Sequence, residues 1–425
     1  MAEPAGPLPV TADGPLPVTA DGLTRVRRRI VLLSLTWASS LGIVSSTIYV
    51  PSVPAIAHAL HTSVARVQLT FVGYLLALAV SMLVLGPLSD RFGRRRTVLC
   101  GLALCAASSL VCAASPTIKV LIAARIVQGV GACAGMVVGR ALTREIWGTE
   151  AAAQVIAGRA MAATILQAAA PVLGGYLQQW VGWRANFAAV AVFACFAMML
   201  MVYVPDRGKV QRAVAPGAGM LAGYRTLLGT RRYLGYALSA AGAHAGFHIF
   251  AAGAPAVLIG TFGITPEQYG YYAALPPFGF LIGSFLSNRL TLRLGVDGLI
   301  MIGTVVLIPA GFVMVGLALL HVAGPFVVIG PMIFVCCGSG LITPNAAGGS
   351  LGVNPRIIGA AAGLCSFLQM GAAAGGTALL SLGPSGHPLT LAVVIAAAGL
   401  FCVTAFSSLT QFGRHVAKAG AGATI

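Results

Sequence analysis

Apolar residues fall in long blocks along the chain, at roughly 31–56, 67–86, 98–114, 120–141, 155–180, 187–204, 233–258, 269–287, 299–320, 324–342, 358–382 and 389–409. A bilayer core is crossed by about 20 apolar residues in helical form, and tilt absorbs the excess length of the longer blocks. The blocks are continuous rather than alternating, and lipid offers no partner to a lone strand, so they predict helices. The pattern therefore gives an all-α membrane protein of about twelve transmembrane helices. The longest polar interval, 205–232, divides them six and six. Leu-Ser-Asp-Arg-Phe at Leu88 to Phe92 is echoed by Leu-Ser-Asn-Arg-Leu at Leu286 to Leu290, each between the second and third span of its set. This weak repeat predicts two pseudo-symmetric six-helix halves with a midplane site between them. The divisions are a tail (1–29), a bundle (30–204), a linker (205–232), a second bundle (233–411) and a second tail (412–425).

Composition sharpens this picture. Charged residues make up 8% of the 425 and mean hydropathy is +0.92, whereas a soluble domain carries about 25% charged residues. The net charge of +17 would suit nucleic acid, but its placement argues otherwise. With the first tail inside, the inner intervals hold Arg25, Arg27 to Arg29, Arg91, Arg94 to Arg96, Arg144, Arg207, Lys209, Arg212, Arg225, Arg231, Arg232, Arg289, Arg293, Arg356, Arg414 and Lys418. The outer ones hold only Arg66, Lys119 and Arg184. That asymmetry predicts cytoplasmic termini in a cell membrane, with lipid rather than nucleic acid as the surrounding partner. The Pro-rich tandem repeat at Gly6 to Asp21 predicts disorder, and no cleavable signal peptide is evident. All nine cysteines lie in apolar runs without zinc-ligand spacing, so they read as small core residues and no metal is expected. No phosphate-binding G-x-x-x-x-G-K-[ST] loop and no nucleophile–base constellation stands out, so neither enzyme nor cofactor is expected.

The sharpest local signal is Gly86-Pro-Leu-Ser-Asp-Arg-Phe-Gly-Arg-Arg-Arg96. Gly86 would allow close helix approach, Gly93 a tight turn, and Asp90 can accept hydrogen bonds from a nearby arginine. Arg125 stands inside an apolar run, where a cation costs about 2.5–3.5 kcal/mol or more. It should face a wet cavity or a buried partner such as Gln128; snorkelling to the interface beside Lys119 is the other reading. Pro171, Gly174 and Gly175 allow tight, bent packing. Gly131, Gly135 and Gly139, like Gly371 and Gly375, repeat at four-residue spacing and read as close packing.

These residues resemble the major facilitator superfamily. The Gly86–Arg96 loop matches its signature between spans two and three, and Arg125-Ile-Val-Gln128-Gly129 its span-four pattern. Pro171-x-x-Gly174-Gly175 is similar to the antiporter motif of the drug-exporting branch, with Ala170 where glycine is usual. Tyr49-Val-Pro51-Ser-Val-Pro54, Gly182-Trp183-Arg184 and Arg140 to Glu145 resemble the bicyclomycin and chloramphenicol resistance subfamily. The resemblance implies alternating access in a single chain. It assigns Asp90, Arg91, Arg94 and Arg95 to a cytoplasmic gate with Glu145 as partner, and Arg125 to proton coupling. One departure matters: the acid usual two residues before Tyr49 is Thr47, and no Asp or Glu lies within a span core. His244 and His248, at i, i+4 on one face, can take the proton, or can simply hydrogen-bond substrate or neighbouring helices. A cavity without carboxylates suits neutral or anionic amphiphiles over cations. Span position nominates Thr47, Tyr49, Gln68, Tyr74, Gln167, Phe278 and Gln369 as its lining. An uncoupled metabolite facilitator or importer, and a receptor or scaffold without transport, are the competing functions.

Overall fold

The computed structural model describes residues 25–205, 218–354 and 357–410; the tandem repeat lies outside them. Among the described residues all regular structure is helical. The elements are α1 (Arg25–Thr47), α2 (Val53–Ala59), α3 (Val64–Phe92), α4 (Arg94–Ala114), α5 (Ile118–Trp180), α6 (Trp183–Met201), α7 (Ala218–Leu228), α8 (Arg231–Pro255), α9 (Pro266–Leu319), α10 (Phe326–Gly352), α11 (Ile358–Leu382) and α12 (Pro388–Leu409). Arg25 to Arg29, assigned above to the tail, already belong to α1. Pro51 and Pro54 lack the N–H an uninterrupted helix needs, so a 3₁₀ turn separates α1 from α2.

Two elements are hairpins. α9 has 54 residues, about 80 Å at 1.5 Å per residue, far more than one crossing. It reverses at Gly295, whose φ of +69° suits glycine. Gly283 abuts Cys337 and Gly303 abuts Gly338 of α10, so the two arms pack against the same stretch. In α5, Arg159 donates to the Gly139 carbonyl at 2.9 Å, although a straight helix would hold them about 30 Å apart. Its apolar arms are Ile118–Trp147 and Gly158–Trp180. With both arms of α9 counted, the eleven apolar stretches give twelve crossings. α7 is a helix inside the interval expected to be a loop.

Helices α1 to α6 pack on one another, as do α8 to α12. The two groups meet chiefly where α3 lies on α11 and the second arm of α5 on α9. Small residues bring backbones close: a Cβ on Gly135 would stand 2.0 Å from the Ala38 carbonyl oxygen, and one on Gly131 2.6 Å from Cys105 N. Gly371, Gly375 and Gly86 contradict the packing expectation, because a Cβ there would meet nothing within 4 Å. Their helix faces are open, so their smallness serves no contact. Below, the near end is the one bearing the Gly93 and Gly295 turns and α7; the far end bears the α2–α3 and α8–α9 connections.

Candidate functional site

Arg125 does not snorkel. Its side chain is fully buried (0% exposed) among α1, α3, α5 and α6. The guanidinium is stacked between the Tyr49 and Tyr74 rings, 4.4 and 4.2 Å from their centroids, with Phe187 at 5.9 Å. Its Nη1 donates to the Ser45 carbonyl at 3.0 Å and to Gln128 Oε1. Gln128 Nε2 passes the chain on to Ser109 Oγ at 2.6 Å. Tyr74 Oη bonds the Gly42 carbonyl at 2.7 Å and Ser45 Oγ at 2.5 Å, and Tyr49 Oη lies 3.1 Å from Thr70 Oγ1. Cation–π attraction reaches about 2 kcal/mol where water is excluded, so two ring faces offset a large part of the cost of burial. Nε and Nη2 keep no acceptor among the described residues. Of the two expected settings, a wet cavity or a buried partner, Arg125 takes the second, bonded to Gln128 and boxed by aromatic rings.

At the near end, Gly93 adopts φ +95° and starts α4 directly after α3. The turn places Arg94 four residues from Asp90, with Nη2–Oδ1 at 2.9 Å and Nε–Oδ1 at 3.2 Å. Arg94 Nη1 also pairs with Glu145 Oε1 at 2.9 Å. One guanidinium therefore ties α3, α4 and the first arm of α5. Arg95 donates from Nε to the Met201 carbonyl and from Nη2 to that of Val202, at 3.3 and 3.1 Å. It bonds carbonyls at the end of α6, where the helix leaves acceptors beyond its own ladder. Arg91 is exposed and lies over the Phe92 ring.

At the far end the two groups are fused backbone to backbone. A Cβ on Gly175 would stand 2.3 Å from the Pro266 carbonyl oxygen in α9, while within the first group one on Gly174 would stand 1.8 Å from that of Ile48. Reciprocally, a Cβ on Gly270 of α9 would meet the Pro171 carbonyl at 2.7 Å. Gln68 Nε2 crosses from α3 to the Ala252 carbonyl of α8 at 3.2 Å. His248 sits beside this crossing, its ring 6.2 Å from Phe71 of α3 and 4.7 Å from His244. His248 Nδ1 is 3.3 Å from the His244 carbonyl, and His244 Nε2 is buried without a partner among the described residues.

Most of the nominated lining falls elsewhere. Thr47 is buried and bonds the Ile43 carbonyl at 3.1 Å. Tyr49 and Tyr74 are consumed by the Arg125 box, and Gln68 by its cross-group bond. Phe278 is 53% exposed on a stripe with Leu275, Ile282 and Phe285, an apolar face that suits lipid rather than a polar vestibule. Gln167 and Gln369 are half-buried; Gln369 Nε2 donates to Cys365 Sγ at 3.3 Å.

The profile of the Major Facilitator Superfamily matches residues 35–377. The chain belongs to this family. It is 26% identical over 342 residues to a bicyclomycin resistance protein homolog of Haemophilus influenzae, covering 80% of this chain and 86% of the relative. It is 28% identical over 383 residues to a chloramphenicol resistance protein of Pseudomonas aeruginosa, covering 86% and 88%. A D-xylose–proton symporter structure superposes with a TM-score of 0.73 at 16% identity, over 88% of this chain and 97% of that one, which establishes the fold. This major facilitator protein is a multi-pass membrane transporter and not an enzyme.

The sequence motifs of this major facilitator leave the role of Arg159 unmarked. Arg159 is buried and donates to the Leu35 carbonyl at 2.7 Å, to that of Gly139 and to Thr143 Oγ1, pinning α1 to both arms of α5. In the sequence it merely flanks a span end. Arg140 is exposed although the helix faces around it are packed. Bonds from Arg159 to two carbonyls and a hydroxyl deep in the bundle leave no mark on residue spacing.

Proposed function

We propose that this transporter exports small amphiphilic drug-like molecules, neutral or anionic, from the cytoplasm by alternating access coupled to proton antiport. The observation that carries the reading is the far-end seam, where Gly175 packs on the Pro266 carbonyl of α9 and Gly270 of α9 on that of Pro171, while Gly174 packs on the Ile48 carbonyl within the first half. The seam supports an inward-facing form in which the outer side is sealed and the near end is cytoplasmic. The drug-resistance names of its relatives point to the same cargo class. Basic residues concentrate at the near end, as cytoplasmic loops of a cell-membrane protein do. Two halves, 30–204 and 233–411, rock across the 205–232 linker, and a single chain supplies both sides of the cleft. Asp90, Arg94, Arg95 and Glu145 brace the near end of the first half as it moves.

With Thr47 in place of an acid, the His244–His248 pair carries the proton, and Arg125 with Gln128 holds α1 in register while it does. The rings stand 4.7 Å apart, so one bound proton opposes a second by like-charge repulsion. In proteoliposomes with an imposed pH gradient, chloramphenicol flux should follow the gradient, and His248→Gln should reduce the gradient-driven part at least about tenfold. Flux indifferent to the gradient would favour the second reading, an uncoupled facilitator or importer, which the absent span-one acid supports.

A further inference from the structure

The geometry points to Arg140 as the residue that selects negatively charged cargo at the cytoplasmic side of the cleft, an assignment resting on the exporter reading above. Arg140 lies on the first arm of α5. On the same helix face, Cys133 seven residues earlier reaches the Leu78 carbonyl of α3 at 3.7 Å. Met136, one turn earlier, presses on α1, since a Cβ on Gly42 would stand 2.3 Å from its sulfur. The face carrying Arg140 therefore looks into the gap between α1 and α3, not toward lipid. Yet Arg140 is exposed. A side chain that points into the bundle and still has accessible surface lines an internal, water-accessible space.

Across that gap stands α11 of the other half. Arg140 lies within electrostatic reach of Cys365, whose sulfur accepts from Gln369. Arg140 spends its Nε on the Met136 carbonyl at 3.2 Å, and among the described residues no carboxylate pairs with it. Glu145, five residues on, bonds Arg94. Arg144 adds a second exposed guanidinium one turn nearer the mouth. A planar fork with free N–H groups in a confined wet space recognises a carboxylate or similar oxyanion bidentately. The substrate class is thus an amphiphile bearing an aromatic or apolar body and one anionic group. The anion lodges on Arg140, and Gln369 faces it from the opposite half.

The test uses the full chain in lipid nanodiscs with two probes that share a ring and differ in charge, salicylate and salicylamide. Equilibrium dialysis should show the wild type binding salicylate at least about tenfold more tightly. Arg140→Gln should abolish that preference while salicylamide affinity stays unchanged, which also reports an intact fold; Arg140→Met is the alternative should the first variant be unstable, and Arg140→Lys should keep part of the preference. A wild type without preference, a preference surviving in Arg140→Gln, or one lost only in Arg144→Gln would each overturn the assignment. Efflux of both probes from proteoliposomes is measured in parallel. Selective binding without movement of either probe would leave the anion site standing and refute the exporter reading instead.

Discussion

The buried guanidinium of Arg125 sets the chemistry at the scale of single residues. Its stack needs a flat cation, which lysine cannot supply. Arg125→Lys should therefore keep the charge and still lower transport at least about tenfold, read as initial flux in everted vesicles. Tyr74→Phe keeps the ring and removes the hydroxyl bonded to Gly42 and Ser45, so it should cost about 1 kcal/mol of stability in a denaturant titration and leave flux largely intact. These outcomes separate a need for the stack from a need for the hydrogen bond. Arg125 and Gln128 were legible because a charge inside an apolar run is conspicuous. The directions of Tyr49 and Tyr74 were not, because spacing along a helix cannot say whether a ring faces a cavity or a neighbouring cation. Arg159 was hidden for a related reason: it acts through backbone carbonyls, which every residue carries.

Elements come next. Gly174 and Gly175 are contact surfaces, and carbonyls sit where a side chain would begin. Gly175→Val should part α5 from α9 at the far end and reduce flux at least about tenfold. Cysteine labelling at the far end, measured in intact cells, should rise at the same time. At the near end, Arg94 bonds both Asp90 and Glu145, so reversing one pair tests the brace. Arg94→Glu should lower the melting temperature, and adding Glu145→Arg should restore part of the loss. Equal melting temperatures for the single and double variants would remove Glu145 from the brace. The helices themselves were readable from apolar run length alone. The hairpin turns were readable only in part: Gly93 sits inside a recognisable loop, whereas Gly295 follows its own repeat one helical turn later. α7 went unseen because its short, weakly apolar sequence carries no membrane-length signal.

For the whole molecule, the sequence pattern carried the count of crossings and their basic asymmetry, since both depend on composition averaged over many residues. The relation between the two halves was less accessible. It depends on which glycine faces which carbonyl, and the four-residue spacing of Gly131, Gly135 and Gly139 looks the same as that of Gly371 and Gly375. Only the first set is in contact. The missing span-one acid at Thr47 and the His244–His248 pair were both visible in the sequence; that His248 of the second half lies beside Phe71 of the first was not.

That division between occupied and open glycines also bears on how this transporter can change under selection. A carbonyl oxygen 1.8 Å from a would-be Cβ bars all nineteen other amino acids from position 174 without a backbone shift. Mutants selected for a widened resistance spectrum should rarely alter the seam. They should accumulate instead where new atoms find room, and the vacant faces at Gly371 and Gly375 on α11 are such ground.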